Sequence, residues 1–270
     1  MTDPSAAHPE TPPDALRKEA ARLSRRVGQL EATLRQVELA RDTNSRLLDR
    51  IVAELEVERA RSRDLLLNIL PQPIIDRLEA GERLIADRFD DVTIVFSDFV
   101  GFTEITSRLP VATVVSSLNQ MFSAFDAACS ELGIEKIKTI GDAYMAAAGL
   151  PGSSSRSSAG QVAAAADLAI AMRAAVDAVG PPWQIRIGIH NGPVVAGVIG
   201  TTKYVYDVWG DTVNVASRLE GSSDPGRIQV SESVAAAAGD AFAFEPRGLV
   251  DIKGKGPTPT SFLVGRAAAI

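Results

Sequence analysis

A long heptad repeat is the feature that most restricts how this chain can fold. Residues 14–64 contain no proline and only one glycine, and their apolar side chains recur at alternating spacings of three and four. Sustained over roughly six heptads, this spacing predicts a parallel coiled coil. The predicted core positions are Leu16, Leu23, Leu30, Val37, Asn44 and Ile51 at d, and Ala20, Val27, Leu34, Arg41, Leu48 and Leu55 at a.

Two polar residues interrupt this apolar seam. Asn44 and Arg41 occupy core positions, which costs stability but can determine the register and the number of strands. The seam weakens after Leu55, where Glu58 and Ser62 take the next core positions. The alternative is a single helix whose charged side chains are all solvated. We expect residues 14–64 to form a dimerisation and signalling helix.

The segments on either side of the repeat have a different composition. Residues 1–13 hold four prolines and little that can pack, which predicts a disordered tail. Pro71 and Pro73 should end the long helix. A short helix from about Ile74 to Ala80, closed by Gly81, should follow. Residues 65–88 are therefore predicted to be a helix-turn linker, and a globular domain should begin near Phe89.

The composition excludes several classes of protein. A net charge of −6 over 270 residues leaves no basic footprint for nucleic acid. The single cysteine, Cys129, cannot form an internal disulfide and is predicted to be buried, which suits a reducing cytoplasm. The most apolar stretch, residues 162–179, contains three charged side chains, so no membrane segment is expected. We therefore expect a cytoplasmic protein.

The order of elements after residue 88 indicates an α+β fold. We predict strands at 92–97, 135–140, 143–149 and 184–190, with helices at 111–132 and 162–179 between them. This βαββαβ order is that of a ferredoxin-like core. A further strand at 193–199, an aromatic segment at 203–209 and a helix at 212–220 are predicted as appended elements.

Two aspartates follow predicted strands. Asp98 ends an apolar strand and precedes the Gly101 turn, where a helix start would leave backbone N–H groups free for phosphate. Asp142 lies in a Gly-Asp turn between two apolar strands. Either feature alone is common for backbone reasons. Together, on neighbouring strands, the two carboxylates can converge to hold two divalent cations for attack of an oxygen on a phosphate.

A predicted helix after Gly210 presents polar groups on one face. Asp211 or Thr212 can cap it, and Asn214 and Arg218 are four residues apart, so they share a face. An amide and a guanidinium side by side suit a ribose or phosphate site. The alternative is a solvated surface.

These three motifs together closely resemble the catalytic domain of class III adenylyl and guanylyl cyclases. The motifs are the segments Phe96–Thr103, Lys138–Tyr144 and Tyr206–Arg218. The resemblance covers about residues 65–265 and implies that residues 89–266 form a catalytic domain with the class III nucleotidyl cyclase fold. It also implies two divalent cations, Mg²⁺ or Mn²⁺, as cofactors.

The resemblance implies a role for each matching position. Asp98, Asp142 and the carbonyl of Phe99 would hold the metals. Lys138 and Asp207 would bind the purine, Asn214 the ribose, and Arg218 the α-phosphate. The remaining phosphate contacts would be Phe102, Thr103, Arg186 and Lys253; Arg186 and Lys253, each taken alone, would be read as surface charges. His190 lies within an apolar strand, which favours a structural role over that of a base.

Lys138 and Asp207 favour ATP over GTP. Adenine presents an acceptor at N1 and a donor at N6, opposite to lysine as donor and aspartate as acceptor, whereas guanine presents the reverse polarity. In the family the site lies between two domains, and this chain carries both sets of residues once, so a homodimer is expected. The alternatives are a guanylate cyclase and a nucleotide-binding dimeric scaffold without turnover. No signature of a diguanylate cyclase or a P-loop enzyme is present.

Overall fold

The computed structural model describes residues 13–152, 157–200 and 202–267, and the chain divides into two units at Leu65 and Leu66. The predicted tail, apart from Pro13, lies outside the described residues, as do residues 153–156. No described helix is both long and apolar enough to cross a membrane.

The first unit is helical. Helix α1 runs without a break over 55 residues, Pro13–Leu67, because its interior contains no proline. The apolar residues of the predicted seam are all exposed, from 43% for Ile51 to 64% for Leu30 and Leu55. Ion pairs one turn apart, such as Arg50 with Glu54 at 2.9 Å, contribute only a few tenths of a kcal/mol each, about 0.2–0.5. The predicted helix is confirmed, and its coiled-coil partner stays a prediction.

The second unit is a mixed sheet flanked by helices. Its elements are α2 (Gln72–Glu79), β1 (Ala86–Phe99), α3 (Phe102–Arg108), α4 (Val111–Leu132), β2 (Glu135–Ile140), β3 (Ala143–Ala148), α5 (Ser158–Val179), β4 (Ile185–Ile199), β5 (Val205–Trp209), α6 (Asp211–Ser222), β6 (Ile228–Ser231), α7 (Glu232–Ala238), β7 (Phe242–Ile252) and β8 (Gly256–Arg266). The strand order is β2-β3-β1-β4-β6-β8-β7, with β5 paired to β4. Its first four strands have the ferredoxin-like order predicted for the α+β core.

The sheet buries both faces of its central strand. Along β1, Val95 packs with α4 and α5 on one face, and Ile94 packs with α2 on the other. Alternating side chains point to opposite faces of a strand, so a run of apolar residues here supplies two cores at once. This two-sided burial explains the apolar run that predicted this strand.

Two strand predictions need correction. Strand β1 begins at Ala86, six residues before the predicted start and ahead of the predicted domain boundary at Phe89. Strands predicted at 184–190 and 193–199 form one continuous strand, β4, despite Pro193. The register shows why: Val92 is opposite Gly192 and Phe89 opposite Val194, so a β-bulge in β1 faces the proline. At a bulge the missing N–H of proline breaks no ladder hydrogen bond.

Cys129 is buried, as predicted. Its Sγ lies 3.5 Å from the hydroxyl of Tyr144, which donates to Asp126 at 2.7 Å. Burial raises the pKa of the Cys129 thiol to about 11, so the reactive thiolate is scarce at neutral pH. The thiol is therefore a packing group.

Gly188 sets how closely α6 lies on the sheet. A Cβ on Gly188 would stand 2.3 Å from the carbonyl oxygen of Ala216 and 2.3 Å from the amide nitrogen of Glu220, both backbone atoms of α6. Arg186 lies two residues earlier on β4 and therefore on the same face. The absence of a side chain at Gly188 thus places α6 directly over Arg186.

We predict that Gly188→Ala lowers the free energy of unfolding by at least about 1–3 kcal/mol, because the added methyl pushes α6 off β4. Gly221→Ala, on α6, is the control, since a Cβ there would meet no described atom within 4 Å. That control should stabilise by about 0.4–1 kcal/mol. Urea denaturation of the full chain measures both. Equal stability of the two variants would contradict the close packing.

Candidate active site

The strand register brings Asp98 and Arg186 together. They are direct partners across the β1–β4 ladder, and Arg186 Nη2 lies 3.4 Å from Asp98 Oδ2. Tyr144 is opposite Ser97, so Asp142, two residues earlier in the β2–β3 turn, lies at the end of β1. Asp98 is also the charged neighbour that raises the pKa of Asp142 after burial, so the two carboxyls lie close together. The two predicted metal ligands therefore converge.

Asp98, Asp142 and Glu220 form an acidic group in which like charges repel one another. Burial, and then the neighbouring Asp98, raises the pKa of Asp142 above its ordinary value, and Arg186 opposes this rise. Glu220, on α6, also belongs to the group and accepts from Arg186 Nε at 3.0 Å. One guanidinium thus lies among three carboxylates (Asp98, Asp142 and Glu220).

Two divalent cations fit these donors. Mg²⁺ and Mn²⁺ prefer carboxylate and carbonyl oxygens, and Asp98 and Asp142 supply carboxylates at one point. Among the described residues no three His, Cys, Asp or Glu side chains form a complete metal site. The backbone carbonyl of Phe99 and a phosphate would complete it. The ring of Phe99 is buried against Trp183, with centroids 5.7 Å apart, so only its backbone is available.

The turn after β1 leads into α3. Gly101 has φ of 66°, the left-handed conformation that favours glycine, and α3 starts at the next residue. Phe102 and Thr103 are the first two helical residues, so their N–H groups have no acceptor within the helix. These two amides are therefore available to a ligand, and they follow Asp98 of β1 closely along the chain.

Lys138 and Asp207 meet through a bulge in β2. Lys136 is opposite Ala146 but Lys138 is opposite Met145, so the two lysines point to different faces of the sheet. Lys136 pairs with Asp126 of α4, and Lys138 Nζ lies 2.6 Å from Asp207 Oδ2 on β5. Asp207 also accepts from the amide of Val208 at 2.8 Å. The predicted purine pair is thus formed within one chain.

The third group lies on α6 and the β7–β8 hairpin. Arg218 donates from Nη1 to the carbonyl of Lys253, while the side chains of Asn214 and Lys253 are exposed. Lys255 pairs with Asp211 at 2.6 Å, which ties the hairpin to the start of the helix. Within the described parts of the chain, no hydrogen bond joins Asn214 or Arg218 to the two aspartates.

His190 is held by structural contacts. Its Nδ1 lies 2.8 Å from Ser231 Oγ, and burial lowers its pKa. This geometry agrees with the structural role expected for it.

Glu220 and Gly188 were not among the predicted site residues. Glu220 lies four residues after Ala216 and seven after Val213, so it falls on the packed face of the helix. A charged residue at a position that the helical period assigns to the core is a signal that sequence reasoning can use. No pattern in the sequence predicted that Glu220 would pair with Arg186, which lies on a different element.

Comparison with known proteins yields one family. The sequence profile of the adenylate and guanylate cyclase catalytic domain matches residues 84–265. An adenylate cyclase of Mycobacterium tuberculosis is 43% identical over 225 residues, 82% of this chain and 50% of its own length. The chain therefore spans about half the length of that relative.

Solved structures of cyclases share the fold. The guanylate cyclase domain of RhGC from Catenaria anguillulae, in complex with GTP, is 34% identical with a TM-score of 0.62, covering 67% of this chain and 99% of that one. The adenylyl cyclase CyaB from P. aeruginosa is 29% identical with a TM-score of 0.62, covering 66% of this chain and 95% of that one.

We predict that Asp142→Asn stabilises the protein in the presence of a chelator, because it removes one of two adjacent like charges. The expected rise in Tm is about 2–4 °C, the shift for about 1 kcal/mol in a domain of this size. The pKa of Asp142 is raised in the folded state, so the gain should be small near pH 4 and grow as pH rises above the ordinary carboxyl range.

Differential scanning calorimetry at several pH values measures this gain. Asp240→Asn, at an exposed aspartate outside the acidic group, is the control and should leave Tm unchanged. A lower Tm for Asp142→Asn at neutral pH would contradict the repulsion between the two carboxyls.

Proposed function

Because the chain belongs to the adenylate and guanylate cyclase catalytic domain family, we propose that it is an adenylate cyclase. It would convert ATP to 3′,5′-cyclic AMP and pyrophosphate for intracellular signalling. The observation that carries the choice of ATP is the ion pair of Lys138 with Asp207, 2.6 Å apart.

The purine pair suits adenine. The side chain of Asp207 is 15% exposed and that of Lys138 34%, so a bound base would complete their desolvation. Lys138 would donate to N1 of adenine, and Asp207 would accept from the N6 amino group. Guanine in the same place would set its N1 donor against the lysine and its O6 acceptor against the carboxylate. Buried polar groups left unpaired in this way discriminate strongly between substrates.

The acidic group would hold the metal cofactors. Asp98, Asp142 and the Phe99 carbonyl are the proposed ligands of two divalent cations, Mg²⁺ or Mn²⁺. When bound, the cations would supply Lewis-acid chemistry, lowering the pKa of the ribose 3′-hydroxyl and stabilising charge on the phosphate.

The remaining residues would hold the rest of ATP. Asn214 would orient the ribose, and Arg218 would stabilise negative charge as it develops on the α-phosphate. The Phe102 and Thr103 amides, with Arg186 and Lys253, would bind the triphosphate. The 3′-oxygen forms a bond to the α-phosphorus, the bond from that phosphorus to the bridging oxygen breaks, and pyrophosphate leaves. The hydroxyl proton passes to solvent, since His190 is engaged with Ser231.

Within one chain, the two sets of proposed site residues lie on different sides of α6. Glu220 contacts Arg186 on the sheet, whereas Asn214 and Arg218 lie roughly 120–160° away around the helix axis. This separation favours a site in which Arg218 contacts a substrate held by Asp98 and Asp142 of another copy. We propose that two copies pair so that each supplies one half of each of two sites. The exposed seam of α1 supports a parallel pairing, because an isolated helix gains nothing from such a stripe.

The activity is tested by incubating the purified full chain with ATP or GTP and Mg²⁺ or Mn²⁺ and measuring both cyclic nucleotides. We expect cyclic AMP from ATP, in a large excess over cyclic GMP from GTP. Preferential formation of cyclic GMP would favour the guanylate cyclase alternative and contradict the argument from Lys138 and Asp207. No product from either nucleotide would favour a dimeric scaffold without turnover.

The shared site is tested by complementation. Asp98→Ala and Arg218→Ala remove groups from different halves, so each variant alone should lose at least about 100-fold in activity. Mixed and refolded together, they should regain up to about a quarter of the wild-type rate, because half of the chains enter mixed dimers and each mixed dimer holds one intact site. Absence of recovery, with mixed dimers demonstrated by differently tagged chains, would contradict the two-copy site.

A further inference from the structure

Glu220 is a buried carboxylate to which the proposed reaction assigns no role. Its side chain is 7% exposed, near the end of α6. Removing a carboxylate from water costs several kcal/mol, and a partner must offset that cost. Among the described residues the partner is Arg186, whose Nε donates to Glu220 Oε1 at 3.0 Å. Burial raises the pKa of Glu220 to about 7, and Arg186 opposes the rise.

The contact between α6 and β4 directs the carboxylate of Glu220 toward Arg186. Gly188 lets the α6 backbone touch β4 at Glu220 itself, and Arg186 is the next residue on that face of β4. The guanidinium of Arg186 is planar and presents Nε and Nη2 along one edge, and each of these two donors contacts a different carboxylate. Nε meets Glu220, and Nη2 meets Asp98 at 3.4 Å. The contact to Glu220 is the shorter of the two.

Charge balance gives this arrangement a consequence for cation binding. A guanidinium beside Asp98 competes with any cation for the same carboxylate. Glu220 offers Arg186 a second anion beside Asp98, at the neighbouring Nε donor, and it thereby weakens the hold of Arg186 on Asp98. With a cation on Asp98, Glu220 would also keep the guanidinium in the site, where its remaining N–H groups would be available to a phosphate.

We propose that Glu220 is a positioning residue that anchors Arg186, frees Asp98 for a divalent cation and holds the guanidinium ready for the polyphosphate. The inference rests on the proposed function for the identity of the substrate. It extends that function to a residue that touches neither metal nor nucleotide.

Glu220→Gln tests the proposal, because glutamine keeps the volume and one acceptor oxygen while removing the charge. The first readout is binding of Mn²⁺ to the full chain, measured from the free-ion EPR signal with and without 3′-deoxy-ATP, which cannot cyclise. We expect Mn²⁺ affinity to fall about 10-fold or more, as is typical when a partner that orients a metal-site group is changed. The second readout is kinetic: KM for ATP should rise about 10-fold, with kcat within about threefold.

A double-mutant cycle separates positioning from simple packing. In an Arg186→Gln background, Glu220→Gln should change Mn²⁺ affinity and KM less than about twofold, because the residue through which it acts is gone. An equal effect in both backgrounds would overturn the proposal, as would unchanged Mn²⁺ binding in the single variant. Glu245→Gln, in the exposed pair with Arg227, is the matched control and should alter neither readout.

Two further outcomes are distinguishable. If Glu220→Gln fails to fold by circular dichroism, Glu220→Asp, which keeps the charge on a shorter arm, is measured in its place and should show a smaller loss in the same two readouts. If the wild-type chain makes no cyclic nucleotide, the proposed function fails, but the Mn²⁺ measurements still decide the role of Glu220.

Discussion

The approach of α6 to β4 at Gly188 is the constraint on which the rest of the site depends. Backbone touches backbone at this point, since a Cβ would stand 2.3 Å from two atoms of α6. The contact places Glu220 over Arg186, and the strand register places Arg186 opposite Asp98. Because interiors are close-packed, a shift of α6 by the width of a methyl group would move the carboxylate of Glu220 relative to Arg186 and Asp98, which the β1–β4 ladder holds. A glycine therefore sets the electrostatics of the acidic group.

Helix α6 makes two separate sets of contacts, one from each of two faces. Its buried face stabilises the arginine of the acidic group, and its other face presents Asn214 and Arg218 with the Lys253 hairpin. In the proposed dimer these faces serve different sites, so one rigid helix links both. The close packing of α6 on the sheet means that movement at one face is transmitted to the other. The pair of Lys138 and Asp207 depends instead on a bulge in β2, which turns Lys138 toward β5.

Much of this was accessible from the sequence. The helix predicted at 111–132 has the predicted ends, and the strand at 135–140 matches as well, because long periodic segments between glycine and proline signals leave little choice. The two-strand prediction across Pro193 was wrong, because the bulge that accommodates this proline lies in another strand, about 100 residues away. Glu220 was missed for a similar reason: its partner comes from β4, and no local pattern couples the two residues.

The sequence by itself determined the long helix, the α+β order and the types of residue in each motif, because periodicity and turn chemistry are local properties of the chain. The tertiary structure decided which of these residues meet. It brought Asp98 close to Asp142 and Lys138 to Asp207, and it put Arg218 against the carbonyl of Lys253 in the β7–β8 hairpin. Register, bulges and the close contact at Gly188 set these distances, and each arises from pairing between segments that are far apart along the chain.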